Sequence, residues 1–321
     1  MLKKEKGLFI IFGIVLVLLY LLSSTNLIIK EKKTEIYPIS VIIKDSKDEY
    51  YQNFKKGMDQ AARTYHVDTN FITLYEKNDH EQQMELMERE INDGAKAIIL
   101  APADVEKTLR ELEERKLVIP VILLETRETN DWVSGNVTMD YYEAGALLGK
   151  EVLADVKAET TVHFFTEGLG VQSHQEFYDG CLSVLEPAGV SVRLYAEEGG
   201  SGFQNSVGQM MQQKGKKAAI ALDSGSLTAL TDILEKAGED AKEISLYGIG
   251  VNVGILNDLD SGLIRGLVVN NQFHAGYLSI EKAVREISMG IQKEEILLEP
   301  FYIRQENLRQ PEYEKMLYPM E

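Results

Sequence analysis

Polar and aromatic side chains gather directly after a series of short β-rich runs, the positions at which open α/β sheets bind ligands. Asp48, Tyr50 and Tyr51 follow Ile39–Ile43, and Glu125, Thr126 and Arg127 follow Val118–Leu124. Thr166 to Gln175 come after Thr161–Phe165, Asp223 after Ala218–Leu222, and Asn270 after Leu267–Val269. Aromatic faces cover ring C–H groups, while carboxylates, amides and a guanidinium give fixed acceptors and donors for hydroxyls, so the set suits a sugar. Each residue also has a structural use. Tyr50 and Tyr51 can close the apolar edge of the next helix, Asp48 and Asp223 can be helix N-caps, and Arg127 can pair with Glu125 or Glu128 at the surface. What favours binding is the convergence of these types on one edge.

Other chemistries find no support. Gly168-Leu-Gly170 follows a strand, but Ser173 stands where a dinucleotide fingerprint needs its third glycine, so an ordinary turn is expected. No phosphate-binding loop of the Walker kind and no nucleophile elbow occur. His66, His80, His163, His174 and His274 lack metal-ligand spacing, so neither a metal nor a cofactor is expected. Cys181, the single cysteine, is expected in the core. The formal charge of −17 argues against nucleic acid, whose phosphates need clustered Lys and Arg.

The elements that position these residues alternate. Between the strand-like runs, Phe54, Met58, Ala61, Ala62 and Tyr65 have the spacing of a helix face packed on a sheet. Asp79 with Gln82 reads as a capping box opening the next helix, and Val105, Leu109 and Leu112 form another stripe. Strand–helix alternation is the pattern of a parallel sheet flanked by helices. Phe54-Lys-Lys-Gly57 returns as Phe177-Tyr-Asp-Gly180, and Gly94-Ala-Lys-Ala97 as Gly215-Lys-Lys-Ala218, at nearly one offset, which suggests one lobe built twice.

The N-terminus carries Lys3, Lys4 and Lys6, then an uncharged stretch from Gly7 to Ile29. It is expected to be a transmembrane anchor with the rest outside the cytoplasm; the other reading is a cleaved signal segment.

Over residues 38 to 305 the chain resembles the ribose- and galactose-type periplasmic binding proteins, which share their fold with the ligand domains of lac-repressor-like regulators. The carriers are Tyr50-Tyr51 with Phe54-Lys-Lys-Gly57, Asp79-x-x-Gln82, Gly94-Ala-Lys-Ala-Ile-Ile-Leu-Ala-Pro-Ala-Asp104 and Ile119-Pro-Val-Ile122, then Asp140, Gly145, Tyr247-Gly-Ile249, Asn270 and Gly276-Tyr277. The resemblance implies an α/β fold of two similar Rossmann-like lobes joined by a three-crossing hinge, at 38–140 plus 271–297 and 141–270 plus 298–305, with a tail at 306–321. It further implies that Asp48, Tyr50 and Tyr51 bind and stack on the sugar, and that Glu125, Asp223 and Asn270 make polar contacts. Two positions depart from the family: Gln175 replaces an arginine, and Gly250 an aspartate. The implied function is non-enzymatic. A monosaccharide would be bound between the lobes for an ABC permease, or else sensed by a membrane-anchored subunit signalling to a histidine kinase.

Overall fold

The computed structural model describes residues 3–24, 36–46, 51–156, 160–197, 202–213, 215–290 and 292–318. Residues up to Ile36 form one compact unit and Tyr37–Glu321 a second. The first unit contains helix α1 (Lys3–Ser24), whose apolar side chains from Leu8 to Leu21 are exposed. Among the described residues no helix is long and apolar enough to cross a membrane, so the expected span Gly7–Ile29 is not found. The helix is described as far as Ser24, and its uncharged part from Gly7 is about 27 Å long at ~1.5 Å per residue. The rest of the expected span, 25–29, lies outside the described residues.

In the second unit two six-stranded sheets repeat one plan. The first is built from β1 (Pro38–Ile42), β2 (Asp68–Ile72), β3 (Ala97–Leu100), β4 (Val121–Leu124), β5 (Gly135–Met139) and β11 (Glu294–Leu298), in the order β11-β5-β4-β3-β1-β2. Every pairing in it is parallel. The second comprises β6 (Thr161–Thr166), β7 (Ser191–Ala196), β8 (Lys217–Ala221), β9 (Ile244–Ile249), β10 (Ile264–Val269) and β12 (Phe301–Ile303), in the order β12-β10-β9-β8-β6-β7. Only its last strand, β12 on β10, is antiparallel. The chain passes between sheets after β5, after β10 and between β11 and β12.

Helices cover both faces of each sheet. The first carries α2 (Gln52–Tyr65), α3 (His80–Asn92), α4 (Val105–Arg115) and α10 (Gln272–Met289); the second carries α5 (Tyr141–Asp155), α6 (Gln172–Leu185), α7 (Phe203–Gln212), α8 (Ser224–Ala237) and α9 (Val253–Ser261). The expected stripe of α2 is realised, with Phe54, Met58 and Ala61 buried and the helix stopped by His66 in the left-handed region at φ 54. Asp79 caps α3 through the Gln82 amide, but the Gln82 side chain accepts from the Tyr75 amide instead of completing the box.

The repeated Phe-x-x-Gly is the point where two helices touch backbone to backbone. A Cβ on Gly57 of α2 would collide with the Phe273 carbonyl of α10, and one on Gly276 with the Phe54 carbonyl. The second lobe does the same with Gly145 of α5 against Phe177 and Gly180 of α6 against Tyr142. The Phe-x-x-Gly match thus has the same physical cause in both lobes.

Strand bounds differ from expectation where local chemistry intervenes. β4 starts at Val121 rather than Val118, because Pro120 has no N–H to donate and Val118 is 92% exposed. β5 was not legible: Gly135 and Asn136 are poor strand formers, and the strand is held by burial on all sides and by Asn136 donating to the Thr126 and Glu128 carbonyls. Residues 306–321, expected to be a surface tail, contain α11 (Pro311–Leu317), and Leu308, Met316 and Leu317 are buried in the second lobe's core. Cys181 is buried as expected, and burial raises its thiol.

His163, in the middle of β6, is fully buried, stacked on Tyr195, and its Nε2 has no partner. Burial foremost, with Arg193 nearby, lowers its pKa from 6.5 to about 4. The unfolded chain therefore takes up a proton that the folded chain refuses. The stability present above pH 6.5 is lost as pH falls towards 4, by up to ~3 kcal/mol at ~1.4 kcal/mol per unit. Urea unfolding of the parent and of His163→Leu across that range should show the parent losing more stability; parallel curves would refute the assignment.

Candidate ligand cleft

The chain leaves β5, β10 and β11 at their carboxyl ends to enter the other lobe, so the carboxyl edges of both sheets meet at the three crossings. Ligands of open α/β sheets bind beyond such edges. On the first lobe Lys44, just after β1, reaches over the end of β3 to Glu125, just after β4, with Nζ 2.8 Å from Oε2. The Tyr51 hydroxyl donates to the other oxygen, Oε1, at 2.9 Å. Glu125 is in the left-handed region at φ 57, an unfavourable conformation for a residue with a Cβ. Such strain persists where surrounding contacts over-determine it, and here an ammonium and a phenol do so. Burial works against the Lys44 charge, yet Glu125 outweighs it and the ammonium pKa is raised.

The Lys44–Asp45 backbone is itself fixed. Its carbonyls accept from Asn78 at 2.8 Å and Leu74 at 3.0 Å, so the loop after β2 braces the loop after β1. Arg127 holds Glu295 of β11 with two bonds, at 2.8 and 3.3 Å, and lies 3.8 Å from Asp140, the N-cap of α5. Next to Asp140, Tyr141 enters the field of Glu125 from one lobe and Glu176 from the other; burial first, then these two charges, raise its phenol. Burial also raises the Glu176 carboxyl, with Arg127 opposing and Asp140 adding to the rise.

The residues expected from sequence fall into three groups. Asp48 and Tyr50 lie outside the described residues. Glu125 and Tyr51 are brought together, while Arg127 is held by Glu295 and Asp140 instead; Tyr51 is 1% exposed, with its ring against Phe54 and Phe71, so it is its hydroxyl that meets Glu125. Among the second-lobe residues, Gln175 is half-buried and bonds Asp179 along α6 at 2.8 Å. Asp223 caps α8: it accepts from the Ser226 amide at 2.7 Å, the Ser226 hydroxyl at 2.9 Å and the Glu167 amide at 3.1 Å. Asn270 accepts from Gln272 at 3.0 Å and lines a recess of about 20 Å³ with Met139, Tyr141 and Gly250. That recess has room for about one water molecule and is too small for a sugar ring. A larger one, about 380 Å³, lies at Glu113, Trp132 and Lys293, within the first lobe alone, where closure of two lobes cannot act on its contents.

Lys44, Tyr141 and Glu176 were not singled out by sequence. The signal for Tyr141 was its place directly after the Asp140 cap at a crossing, which became visible with β5. Gly250 also gains a reason: its φ is 133, and a Cβ there would lie 2.9 Å from that of Ser224. An aspartate would strain the turn and crowd α8. Among the described residues no group of His, Cys, Asp and Glu could hold a metal ion.

A family of proteins described as the periplasmic binding protein domain matches residues 39–291. The chain belongs to this family. Solved structures show the same fold. One is an ABC transporter solute-binding protein from Agrobacterium vitis bound to α-D-tagatopyranose, with TM-score 0.78, 16% identity, and coverage of 88% of this chain and 100% of that one. A glucose-galactose binding protein from Geobacillus stearothermophilus aligns with TM-score 0.73 and 18% identity, over 86% and 99% of the two chains. A solute-binding protein from Bacillus halodurans with myo-inositol gives 0.73 and 18%, over 87% and 98%. No curated protein sequence matches. The binding-protein family places the domain outside the cytoplasm and makes its task binding rather than catalysis.

Proposed function

We propose that this periplasmic-type binding protein takes an uncharged sugar or cyclic polyol between its lobes, closes around it and presents it to an ABC-type importer. One arrangement carries the reading: Lys44, Glu125 and Tyr51 on the first lobe with Tyr141 and Glu176 at the entry to the second. The ammonium and carboxylate neutralise each other, so the pair offers a donor beside an acceptor without attracting a net charge. Adjacent hydroxyls are the matching chemistry. Tyr141 offers the aromatic face that buried Tyr51 cannot. Relatives of the same fold holding a tagatopyranose and an inositol support the class.

Binding acts through differential affinity. A ligand touching both lobes when they approach stabilises that arrangement, and a partner reads it. The moving bodies are 38–140 with 271–297 and 141–270 with 298–305, hinged at the three crossings. The exposed apolar row of α1 supports a tether to the membrane beside the importer.

The test is a thermal shift against pentoses, hexoses, inositols, sugar acids and amino acids. A ligand at about 100 times its Kd adds ~2.7 kcal/mol, an evident rise in midpoint. A rise with a neutral sugar or inositol that is lost in Lys44→Met and Glu125→Gln is expected. A rise with amino acids alone, or with none of these compounds, would sink the sugar reading.

A further inference from the structure

The three crossings are not the whole connection between the lobes. Asn53, in the first turn of α2 on the first lobe, donates from Nδ2 to the Leu317 carbonyl at 2.7 Å. Leu317 ends α11, and its side chain and that of Met316, 3% and 7% exposed, belong to the second lobe's core beside Leu256 and Leu259 of α9. The lead-in to α11 is pinned to the same helix, with Arg309 3.1 Å from the Asp260 carboxylate and Gln305 donating to the Asp260 carbonyl at 2.5 Å. One end of α11 is therefore buried in one lobe while its last carbonyl is bound by the other.

The geometry points to α11 as a clasp across the cleft, whose Asn53–Leu317 bond is made when the lobes are close and released when they part. The inference rests on the proposed lobe movement but not on the identity of the ligand. Asn53 stands at the cleft end of α2, directly after the loop from β1, so rotation about the crossings must change its distance from α9. A hydrogen bond fades within less than an ångström of stretching, so it biases one arrangement over the other. The same bond adjusts apparent affinity, because a ligand needing the close arrangement binds in proportion to how often that arrangement occurs. α11 also lies against α10 of the first lobe, so the bond acts together with that contact.

Double electron–electron resonance on the whole, unliganded protein tests this. Cys181 is buried, so spin labels report on Glu85→Cys in α3 and Glu235→Cys in α8, both exposed. In an Asn53→Ala background the ratio of long to short interlobe distances should rise about fivefold, the effect of losing one ordinary hydrogen bond. Asn53→Asp should raise it further, because a carboxylate would then face the Leu317 carbonyl. Unchanged distance distributions in both variants would overturn the clasp, and so would a lowered thermal midpoint with unchanged distances, which marks α11 as a cover for the second lobe only. Because no ligand is added, a widened distribution together with failure to bind any sugar would uphold the clasp and reject the sugar reading.

Discussion

Replacing Gly276 by alanine should lower the thermal midpoint by roughly 6–12 °C, taking ~3 kcal/mol for forced overpacking and ~2–4 °C per kcal/mol in a domain of this size. The new methyl group would meet the Phe54 carbonyl, and a backbone atom cannot turn aside as a side chain can. α2 and α10 would have to separate, loosening Phe54, Met58, Ala275 and Ile280 together. Gly208→Ala is the control. Gly208 lies in α7 with open space where its Cβ would go, and the substitution should stabilise by about 0.5–1 kcal/mol by favouring helix. Calorimetry on both decides the matter; a Gly276→Ala midpoint equal to that of the parent would refute the close crossing.

Glu286→Ala should be at least as damaging, at about 3–5 kcal/mol in urea unfolding. Lys282 and Glu286 form an ion pair at 2.9 Å, with side chains 1% and 3% exposed. The pair also secures the turn from α10 to β11, since Glu286 accepts from the Gln292 amide at 2.6 Å and Lys282 donates to the Gln292 carbonyl at 3.2 Å. Removing the carboxylate leaves a buried ammonium with only the half-exposed Glu294, 3.9 Å away, as counter-charge, which is worse than losing the pair. The double variant Lys282→Met/Glu286→Leu should therefore recover much of the loss. Additive effects of the two substitutions would contradict a coupled buried pair.

Much of the fold was legible because it rests on local pattern. Runs such as Ala97–Leu100 and Ala218–Ala221, buried on both faces, read as uninterrupted apolar strands, and the stripe of α2 has helical spacing. β5 and β11 were hidden for opposite reasons: one opens with Gly135 and Asn136 but is wholly buried, while the other is an edge strand opening with Glu294 and Glu295. Neither carries the periodicity on which a sequence reading depends.

The candidate site was legible in part. Glu125 and Arg127 could be placed because they directly follow a strand, and sheet geometry sends such residues to the cleft. Tyr51 and Asp223 could not be assigned a side-chain environment in the same way. Whether a tyrosine presents its ring or its hydroxyl depends on Phe71, twenty residues away in the chain, and whether an aspartate is spent on a cap depends on Glu167 and Ser226.

By itself, then, the sequence determined the alternation of strands and helices, the doubling of the lobe and the edge on which polar and aromatic residues gather, because these follow from spacing along the chain. The tertiary structure alone decided the glycine contacts between helices, the Lys44–Glu125–Tyr51 cluster and the seat of α11 across two lobes. Each of these depends on the distance between atoms far apart in sequence, and packing sets that distance where no local periodicity records it.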